Sequence, residues 1–419
     1  MNNKYSTTIV NAFYPIYMII YFVLMFGIHI TSYVGIPIVI AITLIALKCW
    51  PSPSLENAGK QIMKIWVIYN LLTIVFYSFN GLPLSCYFDG LRNYMFPILF
   101  FFIGSYETNS NDKFYDWFLI ACSFFFIVGF YLYFFTPSYY INFLVESKRN
   151  SWYLDSTYVD EGNVMQFTRF SSFMSTSYVA SALSVSMMAC SFSYLFRHKK
   201  VKSIVLYLLG IIGLLGAILC QQRIAMVCSV LLMFVFAWWG HKQHNKTLGI
   251  IAIAIVFIGF IAIGFSFVDE RFSMILEMLS NRMEEMSFSS AMSERTGQYE
   301  RAYREILSYL FFGKGLGAGG HSATMAGSIG IHDGEYLHLL LEFGLVGALI
   351  FVTFIITTIS RAIRNFNVFT IETCIIIYIL LSGIGENVLS QSYLIGSIFW
   401  FCIGRVWNNC YYIRLNREL

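Results

Sequence analysis

Charged side chains are scarce in this chain: Asp, Glu, Lys and Arg make up 12% of its 419 residues, about half the share typical of soluble domains. The uncharged stretches run in long blocks instead of alternating around helical faces, which excludes an ordinary soluble enzyme. The net charge is only +4 and no Lys/Arg-rich stripe interleaved with aromatics occurs, so nucleic acid is not an expected partner. The nine cysteines form no CxxC pair and lie mostly inside or at the ends of apolar runs, which indicates neither a zinc site nor a disulfide framework. No DxD motif occurs either. The acidic neighbours Asp160/Glu161, Asp269/Glu270 and Glu284/Glu285 do not share a helix face, so no metal-ligand set is visible and neither metal nor cofactor is expected. No internal repeat, low-complexity tract or linker sets off a soluble domain, and residues 1–419 read as one membrane domain.

What the chain has is apolar length. At 58% apolar it holds about 243 apolar positions, enough for roughly twelve helices at the ~20 residues each needs to cross a bilayer. Apolar runs lie at about 12–30, 33–49, 62–79, 91–105, 115–136, 174–196, 201–219, 224–239, 247–267, 336–358, 367–383 and 388–405. The sequence therefore predicts an all-α, polytopic integral membrane protein of about twelve spans. The first run has no small-residue cleavage site behind it and reads as a retained signal anchor. Two breaks are long, 137–173 and 268–335, the second falling between the ninth and tenth spans. With the N-terminus inside, the cytoplasmic face collects nearly all short-loop Lys and Arg, among them Lys48, Lys60, Lys64, Lys113, Lys199, Lys200, Arg361 and Arg364. Both long loops then face outward and both termini lie in the cytoplasm.

The second long loop is the most informative stretch. It opens with an amphipathic segment, Asp269 to Met286, suited to packing on the membrane surface or on the bundle. Ser293 then offers an N-cap for a helix running to about Phe312, in which Arg295, Tyr299 and Tyr303 share a face and Arg301 follows on the same helix. A guanidinium beside two phenol rings suits an anionic sugar-phosphate ligand; it equally suits a snorkelling Arg with interfacial Tyr. Gly315 to Gly320 satisfy GxGxxG by letter, but no strand is expected before them and the segment faces outward, so a dinucleotide site is rejected. These glycines either let the chain re-enter the membrane edge closely packed or leave it mobile.

His332 opens the tenth span, with Glu335 and Tyr336 three and four residues on and Glu342 inside the span. A helix N-terminus disfavours imidazolium, and a neutral ring is what a general base needs. An interfacial histidine that merely caps the helix is the competing reading. Arg92, Arg169 and Arg223 stand at outer ends of spans, where basic residues are uncommon; a polyanionic ligand or lipid headgroups would account for them.

Arg295 with an aromatic residue four positions on, the Gly-rich Phe312-Gly313-Lys314-Gly315-Leu316-Gly317, and His332 leading into Tyr336-Leu337 and Leu341-Glu342-Phe343-Gly344-Leu345-Val346-Gly347 together resemble the signature of the bacterial O-antigen ligase and Wzy-type O-antigen polymerase superfamily. The segment Arg169 to Leu183 resembles that family's arginine-bearing stretch ahead of a mid-chain span, and Arg223 the arginine that opens the next outward-facing one. Asp333 stands where the family usually has Asn, and Tyr299 where Trp is usual.

The resemblance implies a GT-C-like membrane fold and a metal-independent, lipid-linked glycosyltransferase of the bacterial inner membrane. Its implied substrates are undecaprenyl-pyrophosphate oligosaccharides in the periplasmic leaflet, and its implied partners are the lipid bilayer and the chain-length regulator and flippase of the same pathway. A polymerase moves the growing chain onto the non-reducing end of a new repeat unit; a ligase moves it onto lipid A-core. In either case Arg169 and Arg295, with Arg223, neutralise charge growing on the departing pyrophosphate. His332 takes the proton from the attacking hydroxyl, with Glu335 or Glu342 holding the imidazole, while Arg92, Arg301, Tyr299 and Tyr303 line the sugar or pyrophosphate site.

Polymerase is the preferred expectation. An aromatic-rich chain and an extended first outer loop with Trp152, Tyr153 and Tyr158 suit a protein matched to one repeat unit; an O-antigen ligase and a capsule-type polymerase are the alternatives. A reading of another class is a transporter or flippase for these same lipids, which shares the twelve-span plan. Transporters usually show two similar halves and charges at mid-membrane, and neither is visible here.

Overall fold

The computed structural model describes residues 12–27, 55–106, 113–135, 158–161, 164–167, 169–173, 177–197, 203–242, 277, 280, 299–331, 334–365 and 370–408. They fall into two compact units: residues 1–38 with 110–287, and residues 39–109 with 288–419. The fold is helical, and its apolar helices mark a membrane protein. Against the expectation of about twelve spans, three helices among the described residues are long and apolar enough to cross a bilayer: Lys113–Phe135, Ser177–Leu195 and Glu335–Arg364. Four more apolar helices are shorter, Ile204–Leu219, Arg223–Phe236, Ile371–Ser382 and Tyr393–Val406. The expected spans at 33–49 and 247–267, and nearly all of 268–298, lie outside the described residues.

The first unit is built on aromatic packing. The Lys113–Phe135 helix has 23 residues, about 35 Å at 1.5 Å per residue, which exceeds a ~30 Å hydrocarbon core. It turns Phe118, Phe125 and Phe126 inward and leaves Ile120 and Ile127 outward, the latter an ordinary lipid-facing choice. The Ser177–Arg197 helix buries a run of small side chains, including Ala180, Ser181 and Ser184. Gly213 and Gly216 of the Ser203–Leu219 helix sit against Ser184 with no room for a Cβ. Small residues let membrane helices approach this closely, where dispersion replaces the missing hydrophobic drive.

One element departs from the all-α expectation. Within the first long loop, Tyr158–Glu161 and Val164–Phe167 pair as an antiparallel hairpin, Tyr158 opposite Phe167 and Glu161 opposite Val164. The β-prone Tyr158, Val159, Val164 and Phe167 flank Gly162-Asn163, a residue pair that tight hairpin turns favour. Trp152 and Tyr153 lie outside the described residues.

The second unit centres on the Glu335–Asn365 helix. The Phe96–Ser105 and Tyr393–Val406 helices cross beside it through a reciprocal glycine contact, Gly104 against the Phe401 carbonyl and Gly404 against the Phe101 carbonyl. The expected span at 91–105 starts earlier than the apolar run suggests. Leu84–Gly90 is already helical and joins Phe96–Ser105 through a single π-helical turn, Leu91–Met95. Single π turns inside helices recur at functional sites, and this one carries both Arg92 and Tyr94.

Candidate functional site

In the second unit the long helix is broken at its tenth residue. Gly344 takes φ 61 and ψ −170, a backbone state that only glycine enters cheaply. In an unbroken helix Leu345 and Val346 would donate to the Leu341 and Glu342 carbonyls. Here Leu345 N–H donates to Leu310 O at 2.8 Å and Val346 N–H to Phe311 O at 3.1 Å. The two released carbonyls accept from Lys314 N–H at 2.7 Å and Gly315 N–H at 3.1 Å. Segment 310–315 is thus spliced into the helix's own hydrogen-bond ladder. The exchange leaves none of these groups bare, a condition set by the several kcal/mol that an unmet backbone group costs in a lipid-like interior. Gly313, at φ 78, faces the Glu342 carbonyl and Gly344 with no space for a Cβ. Of the two sequence readings of the Gly-rich segment, close packing is the one observed.

The first two turns of the same helix carry a buried polar cluster. Glu335, His338 and Glu342 are each at most 2% exposed, and Tyr94 of the π turn is 8% exposed. Glu335 Oε2 accepts from Leu389 N–H at 2.9 Å, Ser390 N–H at 3.1 Å and Ser390 Oγ at 3.1 Å. Its Oε1 accepts from the Tyr94 hydroxyl at 2.9 Å. The same hydroxyl oxygen lies 3.0 Å from His338 Nδ1, which is 3.5 Å from Glu342 Oε1. Glu342 Oε1 in turn accepts from Gly319 N–H at 3.1 Å. Gly319 lies so close to the imidazole that a Cβ there would be 2.9 Å from Nε2. The helix, the π turn, the Gly-rich loop and the Val388–Gln391 turn therefore meet through one hydrogen-bonded cluster.

Around it the loop is tied down by charge. Lys314, 7% exposed, donates through Nζ to Glu305 Oε1 at 2.6 Å and to Ser328 Oγ at 2.9 Å, and Asn80 Nδ2 donates to the Lys314 carbonyl at 2.7 Å. Breaking such a buried pair is costly because it strands the remaining charge. Ser322 hydrogen-bonds Asp89, whose other oxygen is 3.5 Å from the exposed Arg92 guanidinium.

In the first unit, Arg169 and Arg223 flank one end of the helices. Phe170 N–H donates to Leu219 O at 2.9 Å and Gln222 Nε2 donates to Ser177 Oγ at 2.8 Å, so the stretch after Arg169 is tied to the turn before Arg223. Two residues of this end, Ser172 at φ 55 and Gln221 at φ 53, are the non-glycine residues found at positive φ among those described. Left-handed backbone in such residues costs about 1–3 kcal/mol each and gathers at functional sites. Ser172 is held there by donating to Phe125 O at 2.7 Å, with Phe170 stacked on Phe126 at 5.7 Å.

Of the residues singled out from sequence, Glu335 and Glu342 are brought together around His338 and Tyr94. His332 and Arg295 lie outside the described residues. Tyr299, Arg301 and Tyr303 sit on a helix over 299–308, with Tyr303 and Arg301 exposed and Ala302 and Ile306 turned into the core beside Ile331 and Leu341. Sequence reading passed over His338, Tyr94 and Lys314. A signal for His338 was present: Glu335, His338 and Glu342 stand at i, i+3 and i+7, one face of a helix. Tyr94 joins them from 241 residues away, beyond any local pattern. Among the described residues no group of His, Cys, Asp and Glu gathers as a metal-ligand set. No protein-family model matches the chain, and no curated protein matches it.

Proposed function

We propose that this chain is a polysaccharide polymerase of the bacterial inner membrane, joining undecaprenyl-pyrophosphate-linked oligosaccharide units at the periplasmic face. The observation that carries the reading is the splice. The Gly-rich stretch 312–317 and the stretch 341–347, two motifs that together resemble one family signature, are joined there by two backbone hydrogen bonds, Lys314 N–H to Leu341 O and Gly315 N–H to Glu342 O, and the carbonyls of Leu310 and Phe311 just before the first stretch accept from Leu345 and Val346. Ile331 and Glu335, which flank His332 in the sequence, are each anchored in this region by hydrogen bonds.

In the reaction, His332 accepts the proton of the acceptor hydroxyl as that oxygen bonds to the anomeric carbon. The bond from that carbon to the pyrophosphate oxygen breaks with inversion, and the electron pair leaves on the lipid pyrophosphate. Arg295 neutralises the charge that develops there, which is where electrostatic help lowers the barrier most.

A second reading, a transporter for the same lipids, draws support from the helix broken at Gly344 and the ionisable cluster buried beside it, both features of transport sites. The full-length protein, purified into liposomes with lipid-linked repeat units, separates the two. Longer glycans formed without transmembrane flux are expected. Flux without lengthening would replace the first reading by the second, and transfer only when lipid A-core is supplied would make the protein a ligase.

A further inference from the structure

We propose that residues 299–312 form a membrane-inserted element whose exposed row, Tyr303, Leu307, Phe311 and Phe312, lies among the acyl chains of bilayer phospholipids, in the leaflet on the Glu335 side of the span. Tyr303, expected from the sequence to line a sugar or pyrophosphate site, then faces lipid instead, whichever reaction the chain performs.

The helix over 299–308 has two apolar sides. Ala302 and Ile306 are buried against Ile331 and Leu341. Tyr303 and Leu307, four positions apart and so neighbours on the helix surface, are exposed. Glu300, Arg304 and Ser308 make a separate exposed polar row, in which Glu300 and Arg304 pair at 2.6 Å. The turn that follows adds Phe311 and Phe312, both more than half exposed. Four large apolar side chains left open so close together mark a surface that something covers.

The splice says what covers it, because it sets the depth of the segment. The bonds from Leu345 N–H to Leu310 O and from Val346 N–H to Phe311 O hold the turn level with residues 345–346 of the Glu335–Arg364 span. Leu345 and Arg361 are 16 positions apart, about 24 Å of helix. A hydrocarbon core is ~30 Å thick. With the paired Arg361 and Glu56 at one border, the turn bearing Phe311 and Phe312 lies roughly 6 Å inside the other, the depth to which in-plane helices sink their apolar side. The charged row then remains among headgroups, and Tyr303 sits at the border where tyrosine gathers.

The row also continues surfaces that lipid already covers. Leu345, bonded to the segment, heads a stripe of exposed apolar side chains down the span with Leu349, Val352 and Ile356. Phe312 stacks on Phe76 at 5.1 Å, and the Asn57–Phe79 helix that carries Phe76 exposes Leu71, Leu72 and Val75. Between that helix and the segment lies a furrow of about 390 Å³ walled by Phe76, Leu307, Leu310 and Phe312, with Asn80 and Ser308. It has the size of an ordinary ligand pocket, and its walls suit part of an acyl chain.

Photocrosslinking tests this in the full-length protein, reconstituted into vesicles of phosphatidylethanolamine and phosphatidylglycerol. A p-benzoylphenylalanine is placed singly at Phe311, Leu307, Leu349 or Arg304, the melting temperature of each variant is checked, and acyl-chain adducts are read by mass spectrometry after irradiation. Phe311 and Leu307 are expected to give adduct yields within a factor of about two of Leu349 on the span, and Arg304 about tenfold less. If the Leu307 variant melts early, Phe312 takes its place. Adducts at Leu349 with none at Phe311 and Leu307 overturn the inference. Crosslinks from Phe311 to a second copy of the chain also overturn it, by making the row a protein interface. So do adducts that form only after a polyprenyl phosphate is added, which would make the furrow a seat for a lipid carrier.

Discussion

The two ends of the Glu335–Asn365 helix are built on opposite principles. Glu335 and Arg361 are 26 positions apart, roughly 39 Å at the rise of an unbroken helix. At the Arg361 end the chain uses ordinary means of stability. Arg361 pairs with Glu56, donates to Val406 O at 2.9 Å and lies 5.1 Å over the Trp407 ring. Trp407 donates to Thr358 Oγ1 at 3.0 Å and stacks within 8° of Phe354. Among the described residues of that end none takes positive φ, and the helix runs on to Asn365. At the Glu335 end the ladder is broken, a glycine sits at positive φ, and two carboxyl groups and an imidazole are buried together. Each of these weakens a membrane helix unless another element completes it. The contrast teaches where stability was the purpose and where placement of polar groups was.

That contrast can be broken from either side, beginning with the largest effects. Trp407→Ala removes the ring on which Arg361, Thr358 and Phe354 all rest, and is expected to destabilise the protein by about 3–5 kcal/mol while the folded fraction keeps its wild-type kcat; melting in detergent with activity per folded protein checks both. Gly344→Ala places a Cβ against the Gly313 amide and the Phe311 carbonyl in a backbone state alanine avoids. A loss of about 3 kcal/mol is expected, here with a fall in kcat, because the Gly-rich segment must leave the helix. Lys314→Met strands Glu305, which is only partly exposed. About 1–3 kcal/mol is expected, and Glu305→Gln added to Lys314→Met should return part of it in a double-mutant cycle. Arg361→Ala removes a pair that is partly open to solvent, and a change of about 1 kcal/mol or less is expected with no change in kcat.

How much of this was legible in the sequence differs between the same two features. Apolar runs locate helices because lipid and core both demand them: 115–136 became Lys113–Phe135, 201–219 became Ser203–Leu219, and 367–383 contains Ile371–Ser382. The break at Gly344 was invisible because the run stays apolar across it, and the groups that complete it come from 310–315. Glu335 and Glu342 are singled out by the sequence, but the Tyr94 and His338 that their carboxyl groups meet are not, because Tyr94 joins them from a distant π turn. Hairpin 158–167 was missed for a similar reason. Its strands are four residues each, too short for alternation to stand out in a chain so rich in apolar residues.

The proposed transfer chemistry at the Glu335 end of this helix is tested most directly by the rate at which equal amounts of folded wild-type protein and His332→Ala lengthen a lipid-linked oligosaccharide. A drop of at least about 10²-fold at unchanged melting temperature is expected for loss of a general base; equal rates would contradict the account.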